Sequence, residues 1–116
     1  MHSNQPTAAQ TRWRESVREL GSVISGGPAV IHHCVGRTAK HNKVHIGHWW
    51  ILPLTDSEHK ALHSGHLDWL LCETEWEGMS RKFFEKHAFK FSVVDRLDVP
   101  DEYTFDVNHA IQGYHR

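Results

Sequence analysis

The sequence predicts a small single domain of the α+β class over residues 1–116. Two observations lead to this prediction. The length of 116 residues suits one hydrophobic core, and helical patterns flank a central stretch of short β-rich segments. Apolar residues make up 39% of the chain and the formal net charge is −1, so the composition shows no strongly basic footprint for nucleic acid.

The first predicted element is a helix over residues 6–20, because apolar side chains recur there every three or four positions. These are the side chains of Ala9, Trp13, Val17 and Leu20. The glycines and proline at 26–28 then predict a turn. Residues 29–35 are short and β-rich, which predicts a first strand.

Residues 36–47 are polar, basic and bounded by glycine, and we predict a loop there. A second strand is predicted over residues 48–52, ended by Pro53. Thr55 and Glu58 have the spacing of a capping box, which predicts a helix from about 56 to 64.

The rest of the chain continues with helical patterns over residues 66–76 and 80–89. Residues 93–94 and 103–105 are predicted to form short strands, with Pro100 between them. No apolar run approaches the roughly 20 residues that span a bilayer, and the start of the chain lacks a signal-peptide pattern. We therefore expect neither membrane insertion nor secretion. Cys34 and Cys72 form no CxxC pair, and this excludes a structural zinc site built on thiolates.

Histidine is the unusual feature, with 12 in the chain. His59 and His63 lie four positions apart on a predicted helix and therefore share one face. His32 and His33 are adjacent in a predicted strand and therefore point to opposite faces, so one of them can join the helical pair. Such a set predicts a three-ligand metal site with open positions for water and substrate. The alternative is chance spacing in a histidine-rich chain, with these rings simply hydrogen-bonded.

The histidine pair, the loop, the second strand and the helix with His59 and His63 together resemble the ββα-metal (His-Me finger) centre of HNH nucleases. The pattern is most similar to the recombination enhancement nuclease family of phages. The similarity is carried by segments in a fixed order, namely Ile31-His32-His33, Gly36-Arg37-Thr38, residues 48–54, His59 with His63, and Phe84-Glu85-Lys86. It covers about residues 30–88 and implies a ββα-metal core at about 29–65, flanked by helices.

The resemblance implies roles for individual residues. One divalent cation is held by three ligands, namely His32, His59 and His63. His33 is the general base, and His48, where HNH enzymes often have Asn, orients His33 or contacts the phosphate. The family usually has Cys and His where this chain has Thr55 and Glu58, which leaves helix capping as the role of these two residues.

The residue types suit phosphodiester hydrolysis. Imidazole can act as a base near neutral pH. The sequence therefore predicts that activity is lost as the pH is lowered through about 7 to 6, where free histidine becomes protonated. All-histidine ligation favours Zn, Ni, Co or Mn over Mg, although Mg stays a candidate. Arg37, Lys40 and Lys43 are the candidates for binding phosphate, against the alternative that they are solvated loop charges.

The leading hypothesis is a metal-dependent DNA endonuclease. By resemblance it is encoded by a phage or prophage, acts in recombination or repair in the bacterial cytoplasm, and has DNA and a recombinase filament as partners. One alternative is a non-catalytic DNA-binding module that keeps the ββα-metal shape. Another is a small metal-binding or protein-interaction domain without nucleic acid.

Overall fold

The computed structural model describes residues 5–103 and 105–114. Within these residues the α-helices are α1 (Ala8–Glu19), α2 (Asp56–His63), α3 (Leu67–Leu71), α4 (Arg81–Ala88) and α5 (Phe105–Gly113). The strands in the same part of the chain are β1 (Val30–His33), β2 (Lys40–His41), β3 (Val44–His45) and β4 (Ile51–Leu54). A π-helical turn (Phe89–Val93) and a 3-10 turn (Val94–Arg96) follow α4, and a second 3-10 turn (Asp101–Tyr103) precedes α5. This is a small α+β arrangement, as predicted.

The strands form two separate antiparallel pairs. β1 pairs with β4, so that Val30 lies opposite Leu54 and His33 opposite Ile51. β2 and β3 form a short hairpin inside the segment predicted as a loop. The second strand begins later than predicted and includes Pro53, which has no N–H to give to the ladder. The Pro53 carbonyl instead accepts a hydrogen bond of 3.1 Å from the N–H of Val23.

Helix α2 begins at the predicted capping box. The Thr55 hydroxyl accepts the backbone N–H of Glu58 at 3.2 Å, and the Glu58 carboxylate accepts the backbone N–H of Thr55 at 2.8 Å. These bonds satisfy two N–H groups that the first turn of a helix would otherwise leave without partners. The predicted helix start is confirmed, and its two later histidines are fixed in register with β1 and β4, against which α2 packs.

The core is dominated by aromatic side chains from distant parts of the chain. Trp13 on α1 stacks on Tyr103 with 5.5 Å between ring centroids, and its indole N–H donates to the Trp49 carbonyl at 2.9 Å. Phe89 contacts both rings. Every residue of β4 is buried against this cluster. The β1–β4 pair is therefore held at the centre of the molecule, with α1 and α2 packed against it.

The predictions for the second half of the chain are partly wrong. The helical pattern over 66–76 forms only the short helix α3. The strands predicted at 93–94 and 103–105 are helical instead, since Val93, Val94, Tyr103 and Phe105 lie in helical turns or in α5, while Thr104 lies outside the described residues. Burial of Val93 and Tyr103 in the aromatic core outweighs the β propensity of these residues. Within the part of the chain that the structure describes, every helix is too short or too polar to cross a membrane.

Gly47 is required where the chain passes close to itself before His48. A Cβ at Gly47 would lie 2.3 Å from the Arg37 carbonyl oxygen and 2.5 Å from that of Gly36. We expect Gly47→Ala to lower the free energy of unfolding by about 1–3 kcal/mol in urea titrations, because backbone must move to admit the methyl group. Gly36→Ala is the control, since a Cβ there meets nothing within 4 Å. Equal effects of the two substitutions would contradict this reading of the close approach.

Candidate functional site

Strand β1 divides its two histidines between opposite sides of the sheet, because successive side chains in a strand alternate. His32 is completely buried, facing α2, while His33 is half-buried on the other side. The hydrophobic neighbours in β4 fix this register, since His32 lies opposite Leu52. A shift of one residue would exchange the two histidines and would expose the buried face of β4.

Helix α2 presents His59 and His63 to the buried ring of His32. The Nε2 atoms of His59 and His63 are 3.0 Å apart, and each ring centroid lies 5.2 Å from that of His32. Donor nitrogens of all three residues lie within 4.8 Å of one another. Two nitrogen ligands of one tetrahedral zinc ion are about 3.3 Å apart. The spacing of the helical pair is therefore suited to a shared cation.

The helical histidines are also in the right protonation state for a metal. Burial lowers the pKa of His59 and His63 below the usual value of 6.5, and the neighbouring His32 lowers each further. The neutral form of each ring, which carries the lone pair that a metal binds, is therefore more favoured than in a free histidine.

Glu85 on α4 completes the surroundings of His32. Its Oε2 lies 2.6 Å from His32 Nε2 and accepts a hydrogen bond of 3.2 Å from Arg81 Nε. The carboxylate is 5% exposed, and His32 Nδ1 is buried with no hydrogen-bond partner among the described residues. When His32 carries its proton on Nε2 and donates it to Glu85, the lone pair of Nδ1 can bind a metal ion. Metal-ligating histidines commonly have such a carboxylate bonded to the other ring nitrogen.

Glu85 belongs to a segment that carries the resemblance, but the sequence pattern predicts no role for this residue. The signal was present, because a carboxylate between Phe84 and Ala88 stands on the apolar, buried face of α4. A charged residue on such a face requires a partner. That partner is His32, which lies 53 positions earlier in the chain, and no local sequence pattern predicts this pair.

We expect Glu85→Gln to weaken metal affinity by about 10–100-fold, since the amide keeps the size of the carboxylate but loses its charge behind His32. Affinity is measured by competition with a coloured chelator. Glu75→Gln, at an exposed position after α3, is the matched control and should leave affinity unchanged. An unchanged affinity in Glu85→Gln would show that Glu85 does not orient His32 for metal binding.

Cys34 offers a second group of donor atoms on the same side of the sheet. Cys34, His32 and Glu85 are all buried, and their donor atoms lie within 4.8 Å of one another. Burial, and then the charge of Glu85, raise the pKa of the Cys34 thiol well above its usual range. Because only the thiolate binds metal strongly, and because Glu85 already accepts hydrogen bonds, the three histidines form the better metal site.

His33 faces a different, positively charged environment. Burial, then Arg37 and His48, lower the pKa of His33 to about 4. The His48 ring lies edge-on to His33 with 5.8 Å between centroids. The structure thus places His33, His48 and Arg37 in one group on the side of β1 opposite to His32. Arg14 of α1 contributes a further positive charge to this group.

The other predicted phosphate ligands lie further along the loop. Lys40 begins β2 and Lys43 lies in the β2–β3 turn with a positive φ of 67°. Both side chains are exposed on this hairpin, against which α5 packs. Of the three predicted cations, Arg37 is the one whose charge acts on His33. The sequence did not predict Arg81, whose charge acts on His59 and His63.

The arrangement offers three imidazole nitrogens for one cation, a separate imidazole of lowered pKa on the neighbouring strand residue, and guanidinium groups near both. It can therefore hold a divalent ion, accept a proton and attract an anion. Comparisons with protein-family models, curated proteins and solved structures find no match for this chain.

Proposed function

We propose that this protein is a metal-dependent endonuclease that hydrolyses phosphodiester bonds in DNA, with a ββα-metal centre formed by β1, β4 and α2. The observation that carries the proposal is the convergence of three imidazoles on one side of β1. His32, His59 and His63 have donor atoms within 4.8 Å, while His33 faces the other side beside Arg37. One proposed ligand, His32, and the proposed proton acceptor, His33, are thus neighbours in the chain that face opposite sides of β1.

Each residue has a defined part in the proposed reaction. His33 takes a proton from the attacking water, whose oxygen forms a bond to phosphorus while the bond to the leaving 3′ oxygen breaks. His48 restricts the orientation of the His33 ring, and Arg37 offsets the charge that builds on the phosphate oxygens. The cation, when bound, supplies Lewis-acid stabilisation to the phosphate and the leaving oxygen. Neutral nitrogen ligands favour Zn, Ni, Co or Mn over Mg for that role.

The biological setting of the proposal follows from the resemblance to recombination enhancement nucleases. It comprises a phage or prophage origin, a place in recombination or repair in the bacterial cytoplasm, and a recombinase filament as a partner beside DNA.

The test is a nicking assay on supercoiled plasmid with protein stripped of metal and then supplied with Zn, Ni, Co, Mn or Mg. We expect conversion to the nicked or linear form with at least one of these ions and none in excess chelator. Protein purified in parallel with His33→Ala excludes a contaminating nuclease. Absence of cleavage with every ion, on single-stranded as well as supercoiled substrate, would refute the endonuclease proposal.

A non-catalytic DNA-binding module is the second candidate, and one observation favours it. A base with a pKa of about 4 is a weak proton acceptor at neutral pH. If the site serves only as a scaffold, metal binding and DNA binding persist while no ion supports cleavage. The nicking assay combined with a DNA-binding measurement therefore separates the two candidates.

The lowered pKa of His33 changes the pH dependence that we expect of cleavage. His33 accepts a proton only when neutral, and with a pKa of about 4 it stays neutral far below pH 6. At saturating metal we expect a nicking rate that is nearly constant from pH 8 to about 5 and falls as the pH approaches about 4. At low metal the loss begins at higher pH, because protons compete for His59 and His63.

Rates are measured at two metal concentrations, with circular dichroism at each pH to exclude unfolding. A loss between pH 6 and 7 that saturating metal does not prevent would mean that a histidine with an ordinary pKa, and not His33, accepts the proton.

A further inference from the structure

The outer face of α4 and its π-helical continuation carries three aromatic rings in a row. Phe83, His87 and Phe91 follow one another at four-residue intervals, with centroids 5.7 Å and 5.0 Å apart along the row. Phe83 is 60% and Phe91 51% exposed. The π-helical turn buries Phe89 and Val93 in the core and leaves Phe91 outside, beside His87. Phe83 and Phe91 therefore contribute little to the hydrophobic core.

Lysines border the same row. Lys90 Nζ lies 5.2 Å from the centre of the Phe91 ring, and Lys82 and Lys86 line a shallow groove with Phe83. Lys86 donates to the carbonyls of Gln112 and Tyr114. Over residues 5–103 and 105–114, neither Lys82 nor Lys90 forms an ion pair with an acidic side chain. Two cations on this face are thus available to an anionic partner.

We propose that this surface, the α4 aromatic face (Lys82, Phe83, Lys86, His87, Lys90 and Phe91), binds single-stranded DNA. The inference rests on the proposed nuclease function for its choice of ligand. Single strands combine phosphates for the lysines with unstacked bases for the rings, which is the combination that single-strand binding surfaces use. A duplex offers the same phosphates but hides the faces of its bases. A second copy of this chain would bring the lysines of both molecules together, which is repulsive.

The α4 aromatic face is separate from the metal centre. The inner side of the same helix carries Glu85, which contacts His32, whereas Phe83 and Phe91 point to solvent. Substitutions on the outer face can therefore test strand binding without removing a residue of the proposed catalytic machinery.

The experiment measures fluorescence anisotropy of a labelled oligothymidylate, with metal-loaded protein in a His33→Ala background so that the strand is not cut. We expect Phe83→Ala with Phe91→Ala to weaken binding about tenfold or more, because each ring that stacks a base is lost. Lys82→Ala with Lys90→Ala should weaken binding and reduce the salt slope by about 1.4, for two phosphate contacts. Trp69→Ala is the control, since Trp69 is the most exposed large apolar side chain among the described residues, at 74%, and lies on α3. It should change affinity less than twofold.

Three results would overturn the inference. The first is unchanged oligothymidylate affinity in the double phenylalanine variant. The second is displacement of the oligonucleotide by polyglutamate at equal charge, which would indicate an acidic protein partner. The third is a dimer in sedimentation that the phenylalanine substitutions dissociate. Ring-dependent strand binding, without cleavage of supercoiled or single-stranded substrate by the wild-type protein with any ion, would support the inference while refuting the nuclease proposal. Cleavage with ring-independent binding would do the reverse.

Discussion

His33→Ala should lower the rate of plasmid nicking by about 10²–10⁴-fold without loss of bound metal. The reason is that His33 lies on the opposite side of β1 from the three histidines proposed as ligands, so its removal takes away the proposed proton acceptor and none of those ligands. Nicking rates at saturating metal, together with metal content after dialysis, check both parts of the expectation.

The matched control for His33→Ala is His45→Ala, at an exposed position on β3. It removes an imidazole from the same half of the chain and should leave both rate and metal content unchanged. Metal loss in His33→Ala would mean that the strand pair is assigned the wrong way round, with His33 as ligand and His32 as its neighbour. Full activity in His33→Ala would remove the proposed base from the mechanism.

His63→Ala should lower metal affinity and cleavage together. Structural zinc sites with four ligands are worth roughly 10–16 kcal/mol at neutral pH, so one ligand contributes about 3 kcal/mol and its loss weakens affinity by more than about 10²-fold. Because His63 is exposed, its substitution should not unfold the protein, and a loss of metal affinity can be attributed to the missing imidazole. Isothermal titration with Zn or Ni measures the affinity, and nicking at several metal concentrations measures the consequence.

His66→Ala is the control for this substitution, because His66 is exposed and stands just beyond the same helix. Partial recovery of His63→Ala activity at high metal concentration would agree with a weakened site. Undiminished metal affinity in His63→Ala would show that the helical pair does not bind the ion, whatever the spacing of its nitrogens.

The parts of the fold that could be predicted are those set by local patterns. The capping box located α2, and the strand alternation separated His32 from His33, because both rules act over a few residues. The C-terminal helix α5 was not predicted, because the β-propensity of residues 103–105 points the other way. Its formation depends on packing against β2 and β3, which are distant in the chain.

The candidate site divides in the same manner. The spacing of His59 and His63 is visible in the sequence, whereas the packing of α4 brings Glu85 to His32 and Arg81 to Glu85. The low pKa of His33 likewise depends on burial and on charges from other segments, namely Arg37 in the loop and Arg14 on α1. Such environments exist only after the segments have packed together.

The distribution of charge around the site gives the molecule a polarity that its net charge of −1 conceals. Arg14 and Arg37 act on His33, and Arg81 acts on His59 and His63, so guanidinium groups flank β1 on both sides. A bound divalent ion adds two further positive charges there. If the site binds DNA as proposed, these charges attract the strand toward this region, although the chain as a whole is slightly anionic. The rate at which this protein associates with DNA should therefore fall as ionic strength rises, as it does for a cationic protein.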